Sequence, residues 1–112
     1  MCKNIFEKII KRTIPANIIY QDQEITAFHD INPVAPIHIL IVPNVSIKSL
    51  NEINKTNKKI LGEMIYIAVK ISKQLKISNN GYRLIINCNN HGGQEIKHLH
   101  IHLLGGKKLN KI

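Results

Sequence analysis

Residues 98–104 place a histidine at every second position and an apolar residue in each gap. That alternation is the period of a β-strand, whose successive side chains point to opposite faces. His98, His100 and His102 are therefore expected on one face, each about 6.6–7 Å from the next at roughly 3.3–3.4 Å of rise per residue. The apolar residues between them would face a core. The pattern thus predicts a sheet with one buried face and one face that carries imidazoles.

A row of imidazoles can support three chemistries, because histidine changes its charge near neutral pH. A zinc site is disfavoured, since neighbours on one strand face converge poorly on a tetrahedral ion and the segment lacks further thiol and carboxylate ligands. The row can also bind an anion when it is protonated. Alternatively, one imidazole can attack phosphorus while its neighbours donate to the phosphoryl oxygens and the leaving group. Only the last chemistry uses all three positions together with a basic surface.

The polar segment 87–97 directly precedes these histidines and is typical of a loop. The apolar segment 82–86 before it predicts a strand, so the chain returns and brings the loop beside the imidazoles. Gly92 and Gly93 would let the backbone approach a ligand closely. We interpret Cys88 as a small loop residue rather than a nucleophile, because no cysteine-enzyme motif surrounds it.

Length and charge narrow the class of protein. The chain has 112 residues, and we treat residues 1–112 as one domain. Sixteen basic residues against seven acidic ones give a formal charge of +9. The lysines are scattered and form no dense block, so we expect small anionic substrates such as phosphates and no specific nucleic-acid partner.

The sequence predicts neither a membrane segment nor export. No apolar run approaches the ~20 residues that a membrane helix needs. The first residues lack the apolar stretch of a signal peptide. Cys2 and Cys88 are the only cysteines, and a disulfide between them is not expected in a reducing compartment. We therefore expect a cytoplasmic protein.

Hydrophobic periodicity gives a coarse order of elements. The expected helices are 6–11, ended by Pro15, and 55–75. The expected strands are 18–20, 25–28, 38–42, 82–86 and 98–104. The apolar stripe of the long helix contains Ile60, Leu61, Met64, Ile65, Ala68, Ile71 and Leu75. His38, which opens a strand, is either an ordinary buried or surface histidine or a fourth imidazole of the same site.

The three histidines and the motifs around them resemble the histidine triad (HIT) superfamily. Within it they are most similar to the histidine triad nucleotide-binding proteins, which are purine nucleoside phosphoramidases. The segments that carry the resemblance are 5–10, 14–16, 27–33, 35–38, 42–43, 92–94 and 102–106. Any one of them is short, but their order and spacing together are specific. They span about residues 4–106.

The resemblance implies an α+β fold. In this fold a five-stranded antiparallel sheet packs against one long helix, with a second, short helix. It also implies a homodimer in which the sheet continues across the subunits. The implied partner is a purine nucleotide substrate.

The resemblance also assigns roles by position. His100 is the nucleophile, His98 and His102 are its neighbours, and His38 is the additional histidine of the site. Asp30 accepts hydrogen bonds from the ribose hydroxyls. The residues placed around the phosphate are Asn87, Gly93, Gln94 and Glu95. The apolar walls of the nucleobase pocket are Ile5, Phe6, Ile9, Phe28, Ile31 and Leu40; these six could instead be plain core.

The sequence departs from the family pattern in two places that affect the expected metal content and the contacts with the leaving group. Relatives that hold structural zinc use an N-terminal cysteine pair and a histidine after the Val-Pro. Here Glu7 and Ser46 stand at the corresponding positions, so we expect no metal and no cofactor. Glu95 replaces a small hydroxyl residue that some relatives carry beside the phosphate, which affects contacts with the leaving group.

The sequence therefore predicts a nucleoside 5′-phosphoramidate hydrolase that works through a covalent nucleotidyl-histidine. A dinucleoside polyphosphate hydrolase is the alternative within the superfamily. A nucleotide-binding interaction module with incidental hydrolysis is the alternative from another class.

Overall fold

The computed structural model describes residues 4–112, so Cys2 lies outside the described residues. The helices are α1 (Ile5–Ile10) and α2 (Lys59–Gln74), with a short 3₁₀ turn at Leu50–Glu52. The strands are β1 (Ile18–Gln21), β2 (Ile25–His29), β3 (Ile37–Pro43), β4 (Arg83–Ile85) and β5 (Ile101–Gly105). They form one antiparallel sheet in the order β1-β2-β3-β5-β4. The predicted α+β class, the five strands and the long and short helices are confirmed.

The alternation of side chains along the central strands separates the two faces of this sheet. Ile39 and Ile41 of β3 and Ile101 and Leu103 of β5 are fully buried under α2, in the larger core. The opposite face carries a smaller cluster with α1, formed by Phe6, Ile9, Phe28, Leu40 and Val42. In the described part of the chain, none of the helices is both long enough and apolar enough to cross a membrane.

The long helix begins later than its periodicity predicts, at Lys59 instead of residue 55. The side chain of Asn54 accepts the backbone N–H groups of Thr56 and Asn57, and that of Asn57 accepts the N–H of Asn54. These local bonds hold a turn that competes with the helix. The predicted stripe is also wrong at Ile65, whose side chain is 44% exposed.

The histidine segment is a regular strand only in its second half, since β5 begins at Ile101. The ladder with β3 stops at the pair Ile41–Ile101 although β3 itself continues to Pro43, and the chain before Ile101 bonds to the loop that follows β3. There the N–H of Leu99 donates to the carbonyl of Ile47 at 2.6 Å. The alternation of burial nevertheless continues through this half, because Leu99 belongs to the larger core.

The short helix begins at Ile5 because Asn4 caps it, accepting the N–H of Glu7 at 2.8 Å. It ends at Ile10, before the predicted stop at Pro15. Arg12 stops it instead, with a left-handed φ of 59°.

Candidate active site

A cavity of about 460 Å³ opens on the face of the sheet that carries α1. Its apolar walls include all six predicted nucleobase residues: Ile5, Phe6, Ile9, Phe28, Ile31 and Leu40. Its polar lining includes the predicted residues Asp30, His38, Asn87, Gly93, Glu95, His100 and His102. The structure thus brings together residues from α1, β2, β3, β5 and two loops.

His100 is held by one hydrogen bond from its ring. Its Nδ1 lies 2.6 Å from the carbonyl oxygen of His98. A carbonyl only accepts, so Nδ1 carries the hydrogen, and in the neutral ring Nε2 keeps its lone pair. Within residues 4–112, Nε2 has no protein partner. Phe6 packs edge-on against the ring, with centroids 5.0 Å apart.

A chain of hydrogen bonds fixes the tautomers of His38 and His102. The N–H of Val34 donates to His38 Nδ1 at 3.2 Å, so His38 Nε2 carries the hydrogen. That Nε2 donates to His102 Nδ1 at 2.9 Å and lies 3.5 Å from a carboxylate oxygen of Asp30. His102 Nε2 is therefore protonated in the neutral ring and is available as a donor. His38 therefore lines the same cavity as His100 and His102 of the row.

The four imidazoles are kept neutral chiefly by burial. Burial lowers the pKa values of His38, His98 and His100 from 6.5, because the charged form loses solvation. Burial also lowers the pKa of His102, to about 4, and repulsion from His100 and His38 adds to the effect. A neutral His100 is the form that can act as a nucleophile.

His98 does not line the cavity. Its side chain is fully buried, and its Nε2 donates to the carbonyl of Pro43 at 2.8 Å. Its Nδ1 accepts from the amide of Asn4 at 3.2 Å. With both ring nitrogens engaged, His98 has no free donor for a phosphoryl oxygen, contrary to the role expected for a flanking histidine. Its backbone carbonyl, rather than its ring, contacts His100.

Gln94 is likewise engaged within the protein and does not line the cavity. Its amide donates to the carbonyls of Lys48 and Ile96 at 2.6 and 2.9 Å, and its carbonyl accepts the N–H of Asn89. These bonds organise the loop instead of presenting a donor to phosphate. Gly93, with φ of 79°, turns the loop toward the cavity.

Asn87 and Glu95 form the polar wall next to this glycine. Asn87 donates one amide hydrogen to the carbonyl of Gly92 at 2.7 Å and has a second one left. Glu95 is exposed and offers only acceptors when ionised. An ionised carboxylate repels a phosphate, so the predicted grouping of Glu95 with the phosphate-binding residues does not suit its chemistry.

The sequence reasoning missed several lining residues: Ile14, Pro15, Ala16, His29, Asn32, Val34 and Ile96. Most of them lie inside, or next to, the motifs that carry the family resemblance. Their positions within those motifs could have identified them. Their residue types alone did not, because the same types also occur as ordinary core residues.

Asp30, His38 and His102 place ligand atoms within 4.8 Å of one another, as a metal site would. A cation there would have to displace the hydrogen bond between the two imidazoles, since His102 Nδ1 already accepts from His38. The expectation that the protein uses no metal stays a prediction.

The lowered histidine pKa values predict that stability falls as pH decreases from 6.5 toward 4. In that window the unfolded chain, with pKa values near 6.5, binds more protons than the folded one, so acid favours unfolding. Thermal unfolding at pH 7.5, 6 and 5 measures this; a loss of about 1 kcal/mol lowers Tm by about 4 °C or more. His102→Gln should flatten the dependence, whereas His91→Gln, at an exposed loop position, should not. Equal slopes in all three proteins would contradict the assignment.

Comparisons with known proteins agree with this geometry. An uncharacterized HIT-like protein of Buchnera aphidicola subsp. Baizongia pistaciae (strain Bp) is 76% identical over 112 residues, covering 100% of both chains. The purine nucleoside phosphoramidase of Escherichia coli (strain K12) is 53% identical over 107 residues, covering 96% of this chain and 90% of that protein. The solved structure of a histidine triad protein from Clostridium difficile matches with a TM-score of 0.94 and 44% identity, over 96% of this chain and 94% of that one. Residues 11–109 match the HIT domain, and the chain belongs to that family.

Proposed function

We propose that this protein hydrolyses the phosphorus–nitrogen bond of purine nucleoside 5′-phosphoramidates and releases the nucleoside monophosphate. The observation that carries the proposal is the bond from His100 Nδ1 to the carbonyl of His98, which leaves a neutral Nε2 beside a nucleotide-sized cavity. The 53% identity to the purine nucleoside phosphoramidase of Escherichia coli supports the same activity.

The purine base is proposed to occupy the apolar end of the cavity, between Phe6, Phe28 and Leu40. Asp30 then accepts hydrogen bonds from the ribose hydroxyls, since an ionised carboxylate offers only acceptors. This arrangement directs the 5′-phosphoryl group toward His100. The nucleotide would be held along its whole length before any bond changes, which lowers the entropic part of the barrier.

In the first step, the lone pair of His100 Nε2 attacks phosphorus and the P–N bond to the leaving amine breaks. The amine needs a proton, which His102 Nε2–H can supply as a general acid while His38 passes its Nε2 proton to His102 Nδ1 and takes one from solvent, so both rings stay neutral. His98, through its carbonyl, stabilises the positive charge that develops on the His100 ring. The second amide hydrogen of Asn87 is proposed to donate to a phosphoryl oxygen, whereas the N–H of Gly93 is already donated to the carbonyl of Asn90 at 3.0 Å.

In the second step, water attacks the nucleotidyl-histidine and its P–N bond breaks, which regenerates His100. His102, whose ring now carries its hydrogen on Nδ1, takes a proton from that water at Nε2, while the Nδ1 proton returns through His38 to solvent. The sum is one water consumed for one amine and one nucleoside monophosphate released. We propose that no metal takes part, because a cation on Asp30, His38 and His102 would occupy both the ribose acceptor and the proton donor.

Removing the nucleophile should abolish turnover. For His100→Ala we expect hydrolysis of adenosine 5′-phosphoramidate to fall by more than about 10⁴-fold, because the variant lacks the covalent route and a single general acid or base contributes only about 10²–10⁴. AMP binding should persist, as measured by calorimetry. His91→Ala, at an exposed loop histidine outside the cavity, is the matched control. Full activity of His100→Ala would overturn the assignment, and a preference for diadenosine tetraphosphate would favour the alternative activity.

Removing the ribose acceptor should weaken the binding of nucleotides that carry ribose hydroxyls. We expect Asp30→Ala to raise the Kd of AMP by about tenfold or more, since a hydrogen bond to a charged group contributes about 1.5–3 kcal/mol. The Kd of the 2′,3′-dideoxy analogue should change little. Equal losses for both ligands would assign Asp30 a structural role through its contact with His38.

We also propose a cytoplasmic homodimer. β4 is an edge strand of only three residues, and α2 exposes Ile65 and Tyr66 by 44% and 59%. Pairing of two edge strands about a two-fold axis would continue the sheet and cover these side chains. Light scattering at micromolar concentration should give about twice 12.8 kDa. A fully active species of monomer mass would contradict this proposal.

A further inference from the structure

The catalytic cavity differs in charge from the rest of the molecule. The chain as a whole has a formal charge of +9, yet none of the described lining residues is lysine or arginine. The charged side chains of that lining are the carboxylates of Asp30 and Glu95. Four imidazoles also line the cavity, and those of His38, His100 and His102 add no charge at neutral pH, because burial lowers their pKa values. The cavity lining is therefore negative within a basic protein.

The two carboxylates differ in how they are engaged. Asp30 accepts the N–H of Asn32 at 2.8 Å and lies 3.5 Å from His38 Nε2. Within residues 4–112, the Glu95 carboxylate has neither a hydrogen-bond partner nor an ion-pair partner, and the residue is exposed. Glu95 therefore contributes no contact to the fold there, and its charge is available to a ligand.

The backbone around Glu95 is nevertheless fixed. Gln94, the residue before it, is tied by its side chain to the carbonyls of Lys48 and Ile96 and to the N–H of Asn89. The carboxylate is thus presented at one wall of the cavity by an ordered loop. Lys97, the nearest basic residue in sequence on the C-terminal side, does not line the cavity.

The proposed binding mode leaves this wall to the leaving group. The base and ribose occupy the ends lined by Phe6, Phe28 and Asp30, and His100 attacks phosphorus. In an in-line displacement the departing group lies opposite the attacking nitrogen. The remaining polar wall, which contains Asn87 and Glu95, is the part that an extended leaving group can reach.

We propose, on the basis of the proposed function, that Glu95 is a specificity-determining residue that selects leaving amines bearing a second, positively charged group. It disfavours leaving groups that carry negative charge, such as a further phosphate or nucleotide. The bond changes are those given above: the P–N bond breaks, and the amine departs with the proton from His102. Glu95 acts only through the charge of the substituent, which is not altered in the reaction.

Three adenosine 5′-phosphoramidates test this, made from short alkyl amines of matched length that end in an ammonium, a methyl or a carboxylate group. The kcat/KM of the wild-type protein should follow that order. Exposed charge pairs contribute about 0.2–1 kcal/mol each, so an attraction in one substrate and a repulsion in the other should make the ammonium and carboxylate substrates differ by about twofold to thirtyfold. The difference should shrink at high ionic strength, where the charges are screened.

Glu95→Gln keeps the size of the side chain and removes its charge, so it should bring the ratio of the two charged substrates close to one. Glu95→Lys should reverse their order. Glu63→Gln is the matched control, because Glu63 is an exposed carboxylate on α2 that does not line the cavity. It should keep the wild-type ratio.

The outcomes separate this inference from the function on which it rests. If the wild-type protein hydrolyses none of the three phosphoramidates, the proposed function fails. If it hydrolyses them but the ratio is the same in wild type, Glu95→Gln and Glu95→Lys, the role of Glu95 is wrong and the hydrolase activity stands. If Glu63→Gln changes the ratio of the ammonium to the carboxylate substrate as much as Glu95→Gln does, the preference comes from the net charge of the protein. That result would also overturn the role of Glu95.

Discussion

The antiparallel pairing of β3 with β5 is the interaction on which the site depends. Its register sets Leu40 opposite His102 and His38 opposite Leu104. His38 and His102 are therefore diagonal neighbours on one face, close enough for their rings to share a hydrogen bond at 2.9 Å. A register shift of one residue would turn His102 toward α2 and place Leu103 in the cavity. The buried isoleucines and leucines on the other face prevent that shift, so the core specifies the site.

Burial keeps the imidazoles uncharged, and their hydrogen bonds fix the tautomers. Each ring is neutral; His38 and His98 have both nitrogens committed to protein partners, whereas His100 and His102 have one committed and one free. The partner of His100 is a carbonyl, which leaves a lone pair on the free nitrogen; the partner of His102 is a donor, which leaves a hydrogen on its free nitrogen. Two identical side chains thereby acquire opposite roles. Such a site offers only neutral donors to the phosphoryl group. None of the described lining residues is lysine or arginine, so no positively charged side chain there offsets the charge of the phosphate.

The fold and the cavity were largely predictable from the sequence, since strand alternation identified both faces and the family motifs identified most lining residues. Two site residues were misplaced for a common reason. His98 and Gln94 are polar residues in functional motifs, yet their polar atoms are used by backbone groups of distant segments, Pro43 and Lys48. Such partners depend on tertiary geometry, which residue type and spacing do not encode. The late start of α2 has a local cause, because the Asn54 side chain competes with the helix backbone.

The short helix α1 links base binding to the nucleophile. Asn4 caps this helix by accepting the N–H of Glu7, and the same side chain donates to His98 Nδ1. His98 in turn accepts the Nδ1–H of His100 through its carbonyl. Two residues later, Phe6 packs against His100 and lines the proposed base pocket. A base that binds against Phe6 would therefore brace the same helix that orients the nucleophile, so binding energy far from phosphorus can contribute to holding the reacting nitrogen in place.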